Sequence, residues 1–103
     1  MRSADIMSLF IQMLEAGTYR QYRTVAHYAR ELCITPKHLH KISTEVSGRA
    51  PSYWIRQFTI MEIRHLLMHG KLTAKEVAGR MHFDSVSHFS RYISEYPDAT
   101  QNA

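Results

Sequence analysis

Two short stretches concentrate the side chains best suited to chemistry: ITPKHLHKI at Ile34–Ile42 and FDSVSHFSRY at Phe83–Tyr92. Lysine and arginine carry positive charge and several N–H donors, and serine and threonine hydroxyls both donate and accept. Histidine is a donor, an acceptor or a metal ligand according to its protonation. Such a set suits recognition of an anionic, acceptor-rich partner better than bond-breaking chemistry. Of the seven histidines, His65 and His69 stand four apart, a helical spacing that can chelate a metal. No third ligand follows them in a recognisable pattern, and no glutamate lies between them. His38 and His40 stand two apart and would point in different directions on a helix. Cys33 is alone, which excludes an internal disulfide and fits a reducing compartment; beside Ile34 it reads as a small buried hydrophobe rather than a nucleophile. No catalytic residue, cofactor or resident metal is expected, and the chain reads as a binding protein rather than an enzyme.

The side chains in question must be positioned by helices. Ile6, Leu9, Phe10, Met13 and Leu14 keep the helical period and give one amphipathic helix that stops near Gly17. Thr24 is placed to cap a second helix reaching about Leu32. Thr35 followed by Pro36 is a strong start signal, with Ile34 and Leu39 as a hydrophobic staple, and that third helix should run to about Val46 with Gly48 as its stop. Pro51 opens the longest helix, reaching about His69 before Gly70. Thr73 and Glu76 form a capping box, flanked by Leu72 and Val77 as its staple. A last helix is expected from Asp84 to about Tyr96, before Pro97. No segment alternates with period two, so the expected fold is all-α.

Bulk properties agree with a small binding domain. The chain has 103 residues, 45% of them hydrophobic, enough for one core and too few for several. A net charge of +4 fits a polyanionic partner, although charge alone is weak evidence. No apolar run approaches the roughly 20 residues of a membrane span, and Met1–Phe10 lacks the apolar centre of a signal peptide. The expected location is cytoplasmic, with no membrane partner.

A repeat ties the two opening stretches together. Thr24, Ala29, Leu32, Ile34 and Thr35 recur at one constant displacement as Thr73, Ala78, Met81, Phe83 and Asp84. Leu39 and Ile42 recur as Phe89 and Tyr92, displaced by one residue more. Each copy is a short helix, a tight turn and a second helix: a helix-turn-helix, twice, with a long helix between. At about 100° per residue, Leu39, Ile42 and Val46 share one side of the first copy's second helix, while Lys37, His40, Lys41 and Thr44 fall nearly opposite. In the second copy Phe89, Tyr92, Ile93 and Tyr96 form the inner stripe. Ser87, Ser90, Arg91 and Ser94 point outward, with Val86 near the tip and His88 at the margin. Such faces suit base edges and phosphates. A helical protein-interaction domain without DNA affinity is the alternative reading.

Three stretches carry a specific resemblance: VAHYARELCITPKHLHKISTEVSG (Val25–Gly48), WIRQFTIMEIRHLL (Trp54–Leu67) and LTAKEVAGRMHFDSVSHFSRYI (Leu72–Ile93). Together they resemble the DNA-binding domain of the AraC/XylS family of bacterial transcription regulators. The resemblance implies a homeodomain-like all-α architecture within a single DNA-binding unit, residues 1–103. Its parts would be a first module at 6–48, a linker helix at 51–69, a second module at 72–96 and a frayed tail at 97–103. It implies sequence-specific binding of double-stranded DNA, with the two recognition helices in successive major-groove segments. Base-reading positions would be Lys37, His40 and Lys41, with Thr44 beside them, and Val86, Ser87, His88 and Arg91, with Ser90 beside them. RNA polymerase is a further partner the resemblance suggests. Members of the family commonly carry a separate sensing or dimerising domain, for which this chain has no room.

The chain departs from the family pattern in three places. Glycine is common in each turn, but Cys33 and His82 stand there, so a left-handed residue would be strained. Ser43 occupies a position where a large apolar residue is common, which predicts a looser first module. The ending YPDATQNA matches the family's closing helix poorly. Along the long helix, Trp54, Ile55 and Phe58 should pack on the first module, and Ile63, Leu66 and Leu67 on the second.

Overall fold

A computed structural model describes residues 2–95, whose regular structure is entirely helical. The order is α1 (Ser3–Glu15), a 3-10 turn at Thr18–Arg20, α2 (Val25–Glu31), α3 (Pro36–Ser47), α4 (Pro51–Met68), α5 (Ala74–Arg80) and α6 (Val86–Glu95). Among the described residues there is no strand, and the all-α expectation holds. The chain divides within α4 into two compact units, Met1–Arg56 and Gln57–Ala103.

Most helix ends follow signals written in the sequence. The Thr24 hydroxyl accepts from the His27 N–H at 3.3 Å, and the Thr35 hydroxyl accepts from the His38 N–H at 3.0 Å with Pro36 behind it. Gly48 closes α3 at φ 77, a left-handed position that costs glycine nothing. The capping box at α5 is complete, with the Glu76 N–H on the Thr73 hydroxyl at 3.2 Å and the Thr73 N–H on the Glu76 carboxylate at 3.0 Å. α1 begins at Ser3, ahead of the apolar stripe, and α4 stops at Met68.

The start of α6 corrects the sequence reading. Ser85, not Asp84, is the cap: its hydroxyl accepts from the His88 N–H at 3.1 Å, and its carbonyl from the Phe89 N–H at 3.1 Å. The extra residue of the second copy is therefore Asp84, lengthening the turn before an equivalent cap. The expected end at Tyr96, its place on the inner stripe and the tail at 97–103 lie outside the described residues.

In the first unit, α1 packs against α3, and α2 against α3. Phe10, Leu14, Tyr28, Ala29, Leu39 and Ile42 form the buried centre, with Ile55 from the first part of α4. Phe10 meets Tyr28 edge to face at 5.4 Å, and the Tyr28 hydroxyl donates to the Tyr22 carbonyl at 2.7 Å. Burial pushes that phenol well above its ordinary pKa, so it stays a donor at any ordinary pH. In the second unit, Val77, Ala78, Met81, Phe83 and Phe89 are buried, as are Thr59, Ile60 and Ile63 of α4.

Three packing expectations need correction. Val46 is 47% exposed rather than part of the α3 core stripe, because α3 turns its buried side through Leu39, Ile42 and Ser43. Phe58 falls on the second unit's side of the division, and Leu67 is 38% exposed. Periodicity gives the angle of a stripe, but not which of its turns meets a neighbour.

Candidate nucleic-acid interface

Each second helix is set by a turn of the same construction. In the first unit the Ile34 N–H reaches the Ala29 carbonyl at 2.9 Å and the Cys33 N–H reaches Arg30 at 3.0 Å. In the second, Phe83 reaches Ala78 at 2.9 Å and His82 reaches Gly79 at 3.2 Å. This is the Schellman pattern, which requires a left-handed residue after the helix. Cys33 at φ 59 and His82 at φ 56 occupy it, so the strain expected at both turns is present. The conformation also turns Cys33 outward: it is exposed, not the buried hydrophobe anticipated from its neighbour Ile34.

α3 presents its polar face outward. Lys37, His40, Lys41 and Thr44 are all exposed, while Leu39, Ile42 and Ser43 are buried behind them. The Thr44 hydroxyl donates to the His40 carbonyl at 2.7 Å, so toward a ligand it is chiefly an acceptor. Ser43 is wholly buried and hydrogen-bonded. Its hydroxyl donates to the Arg49 carbonyl at 2.7 Å; Ser47 donates to the Ser43 carbonyl at 2.6 Å, and the Trp54 indole N–H donates to the Ser47 hydroxyl at 2.8 Å. This chain ties the end of α3 to the start of α4 and replaces apolar bulk with directed bonds.

On α6, Val86, Ser87, Ser90 and Arg91 are exposed, and the Ser94 hydroxyl donates to the Ser90 carbonyl at 2.9 Å. His88 is half-buried, its ring edge against Phe83 at 5.1 Å, which leaves it the least available of these residues. Behind it Phe83 meets Phe89 at 5.4 Å and Tyr92 at 5.3 Å, both edge to face. Val86, at 40% exposure, is an apolar tip on an otherwise polar face.

Two features escaped sequence reasoning. The Ser43–Ser47–Trp54 chain left only a faint signal, a serine on the inward side of an amphipathic helix. Arg49, exposed just past α3, lies over the Tyr53 ring at 4.7 Å; nothing in its spacing marked it.

A family profile described as a helix-turn-helix domain matches residues 28–100, spanning the turn and second helix of the first unit and the described part of the second. The chain belongs to that family, in its AraC/XylS form. It is similar to the HTH-type transcriptional activator RhaS of Klebsiella pneumoniae (strain 342), at 27% identity over 62% of this chain and 26% of that protein. The chain thus spans about a quarter of the length of this curated relative. No solved structure matches it. As a member of the family it is a DNA-binding, helix-turn-helix protein. Among the described residues no helix is long and apolar enough to cross a membrane.

Proposed function

We propose that the chain is the sequence-specific, double-stranded DNA-binding part of a bacterial transcription regulator. α3 and α6 each enter the major groove, whose width of about 12 Å admits one helix. The observation that carries this reading is the duplication: the same turn, twice, backs a helix whose outward side is polar and exposed. On α3, Lys37, His40, Lys41 and Thr44 meet base edges and phosphates. On α6, Val86, Ser87, Ser90 and Arg91 do so, with His88 at the margin. Lysine and arginine suit guanine acceptors, the Thr44 oxygen suits a base amino group, and Val86 suits a thymine methyl. Two readers in one chain call for a bipartite site in successive groove segments, and the family resemblance supports that arrangement.

Selection of bound sequences from a random duplex pool tests the proposal. A consensus with two separated conserved blocks is expected, together with an affinity whose logarithm falls steeply with the logarithm of salt concentration. Salt-dependent binding without any consensus would leave phosphate contact alone. An absence of DNA binding by the folded chain would favour a helical protein-interaction domain.

A further inference from the structure

The exposed side of α4 in the second unit carries an unexpected set of side chains. Met61 and Met68 are 58% and 60% exposed, although Ile60 and Ile63 of the same helix are wholly buried. Large apolar side chains left in water contribute nothing through burial. His65 and His69 lie beside them, both exposed, with ring centroids 5.3 Å apart and planes tilted by 42°. With Arg64, these four residues line a shallow depression of about 230 Å³. Met61, His65 and Met68 fall within an arc of about 60° on α4, and His69, the first residue past its end, keeps a helical bond from its N–H to the His65 carbonyl at 2.8 Å.

We infer that Met61, His65, Met68 and His69 form a site for Cu(I). Two imidazoles sharing one tetrahedral ion, at metal–nitrogen distances of about 2 Å, have ring centroids about 5 Å apart. The histidine pair already stands at that separation. Met68 lies in the same turn as His65 and His69, and Met61 stands one turn earlier, so both thioethers flank the pair. Thioether sulfur is a soft ligand that selects Cu(I), whereas oxygen donors suit harder cations; the depression is lined by no carboxylate of the described residues. Arg64 at its rim repels a dication more than a monocation. This site lies outside the nucleic-acid faces of α3 and α6 and does not depend on them.

The test uses the full chain carrying Cys33→Gly, because the exposed thiol would itself take Cu(I), and glycine suits the φ of 59 at that position. Cu(I), kept reduced with ascorbate, is offered in competition with the chromophoric chelator bicinchoninate. The chain should take one Cu(I) and hold Zn(II) at least about tenfold more weakly. Met61→Leu/Met68→Leu should lower Cu(I) affinity about tenfold or more, with the helical circular dichroism unchanged because both side chains are exposed. His65→Gln/His69→Gln should abolish uptake at the same chelator concentration. Failure of the parent to take Cu(I), or unchanged affinity in the methionine double variant, would overturn the inference. Zn(II) held as tightly as Cu(I) would overturn it too, leaving only a helical histidine pair.

Discussion

Ser85 caps α6 as Thr35 caps α3, and the turns before them share the same pair of backbone hydrogen bonds. What stands behind the two helices differs. α3 is backed by α1 and α2 and fastened at its end by directed bonds through Ser43, Ser47 and Trp54. α6 is backed by aromatic edges, with Phe83 touching His88, Phe89 and Tyr92. The backbone geometry of a helix-turn-helix is therefore compatible with a hydrogen-bonded or an aromatic support. The difference teaches that the motif fixes where the second helix starts, while its backing is free to vary.

The largest effect should come from removing the aromatic support. Phe89→Ala is expected to destabilise the second unit by about 3–5 kcal/mol, a large fraction of a small domain's stability. Trp54 is the chain's single tryptophan and belongs to the first unit, so its emission should keep its native unfolding midpoint while circular dichroism loses helix. A single shared midpoint would mean that the two units unfold together and the contrast has no energetic meaning. The corresponding change in the first unit, Ser43→Ala, should cost about 1–3 kcal/mol by removing the shorter hydrogen bond to the Arg49 carbonyl and leaving it only the Ser47 hydroxyl at 3.3 Å. That loss should appear directly in Trp54 emission, and an unchanged midpoint would reduce the Ser43 bond to incidental geometry.

The outward faces give the next comparison. Lys41→Ala and Arg91→Ala should each weaken specific DNA binding by about 1–3 kcal/mol, concentrated at a single operator position where the side chain reads a base. The two positions should lie in different halves of the site. A loss spread evenly over all sequences would make the residue a phosphate contact, and no loss from either would remove the proposed orientation.

The turns offer a smaller and opposite effect. Cys33→Gly and His82→Gly should each stabilise their own unit by about 1 kcal/mol, since glycine accepts a left-handed conformation without a Cβ penalty. Urea midpoints that fall instead would show that the side chain at the turn compensates for its strain.

The smallest effect concerns pH. Glu76 accepts first from the Thr73 backbone N–H and then from its hydroxyl, which holds the carboxyl below its ordinary value of 4.5. A carboxyl depressed in the folded state adds stability above its unfolded pKa and loses it as pH falls through the folded value. The parent should therefore be more stable than Glu76→Gln near neutral pH, and the gap should narrow as pH falls below the ordinary carboxyl value of 4.5. At α2 the residue three after the Thr24 cap is His27, so that helix end has no capping carboxylate to remove.

Much of the fold was legible because it rests on local rules. Thr24, Thr35 with Pro36, Gly48, and Thr73 with Glu76 fix helix ends through bonds between residues three or four apart, and such bonds need no knowledge of the rest of the chain. The repeat placed the two turns, and helical period separated Lys37, His40 and Lys41 from Leu39 and Ile42. The helix start expected at Asp84, two residues ahead of the observed one, shows the limit of that reasoning. Either Asp84 or Ser85 could cap a helix by its chemistry, and only the path of the turn chose between them.

By itself the sequence determined the helices, the duplicated turn and the side of each second helix that carries its cations, because periodicity and capping act within one or two turns of chain. Tertiary structure alone decided the rest. It gave Ser43 the Arg49 carbonyl as its partner and left Val46, Met61, Leu67 and Met68 exposed. Each of these outcomes depends on what another segment brings alongside. An apolar residue on a stripe is buried only where a neighbour covers that turn, and a buried hydroxyl is tolerated only where an acceptor meets it.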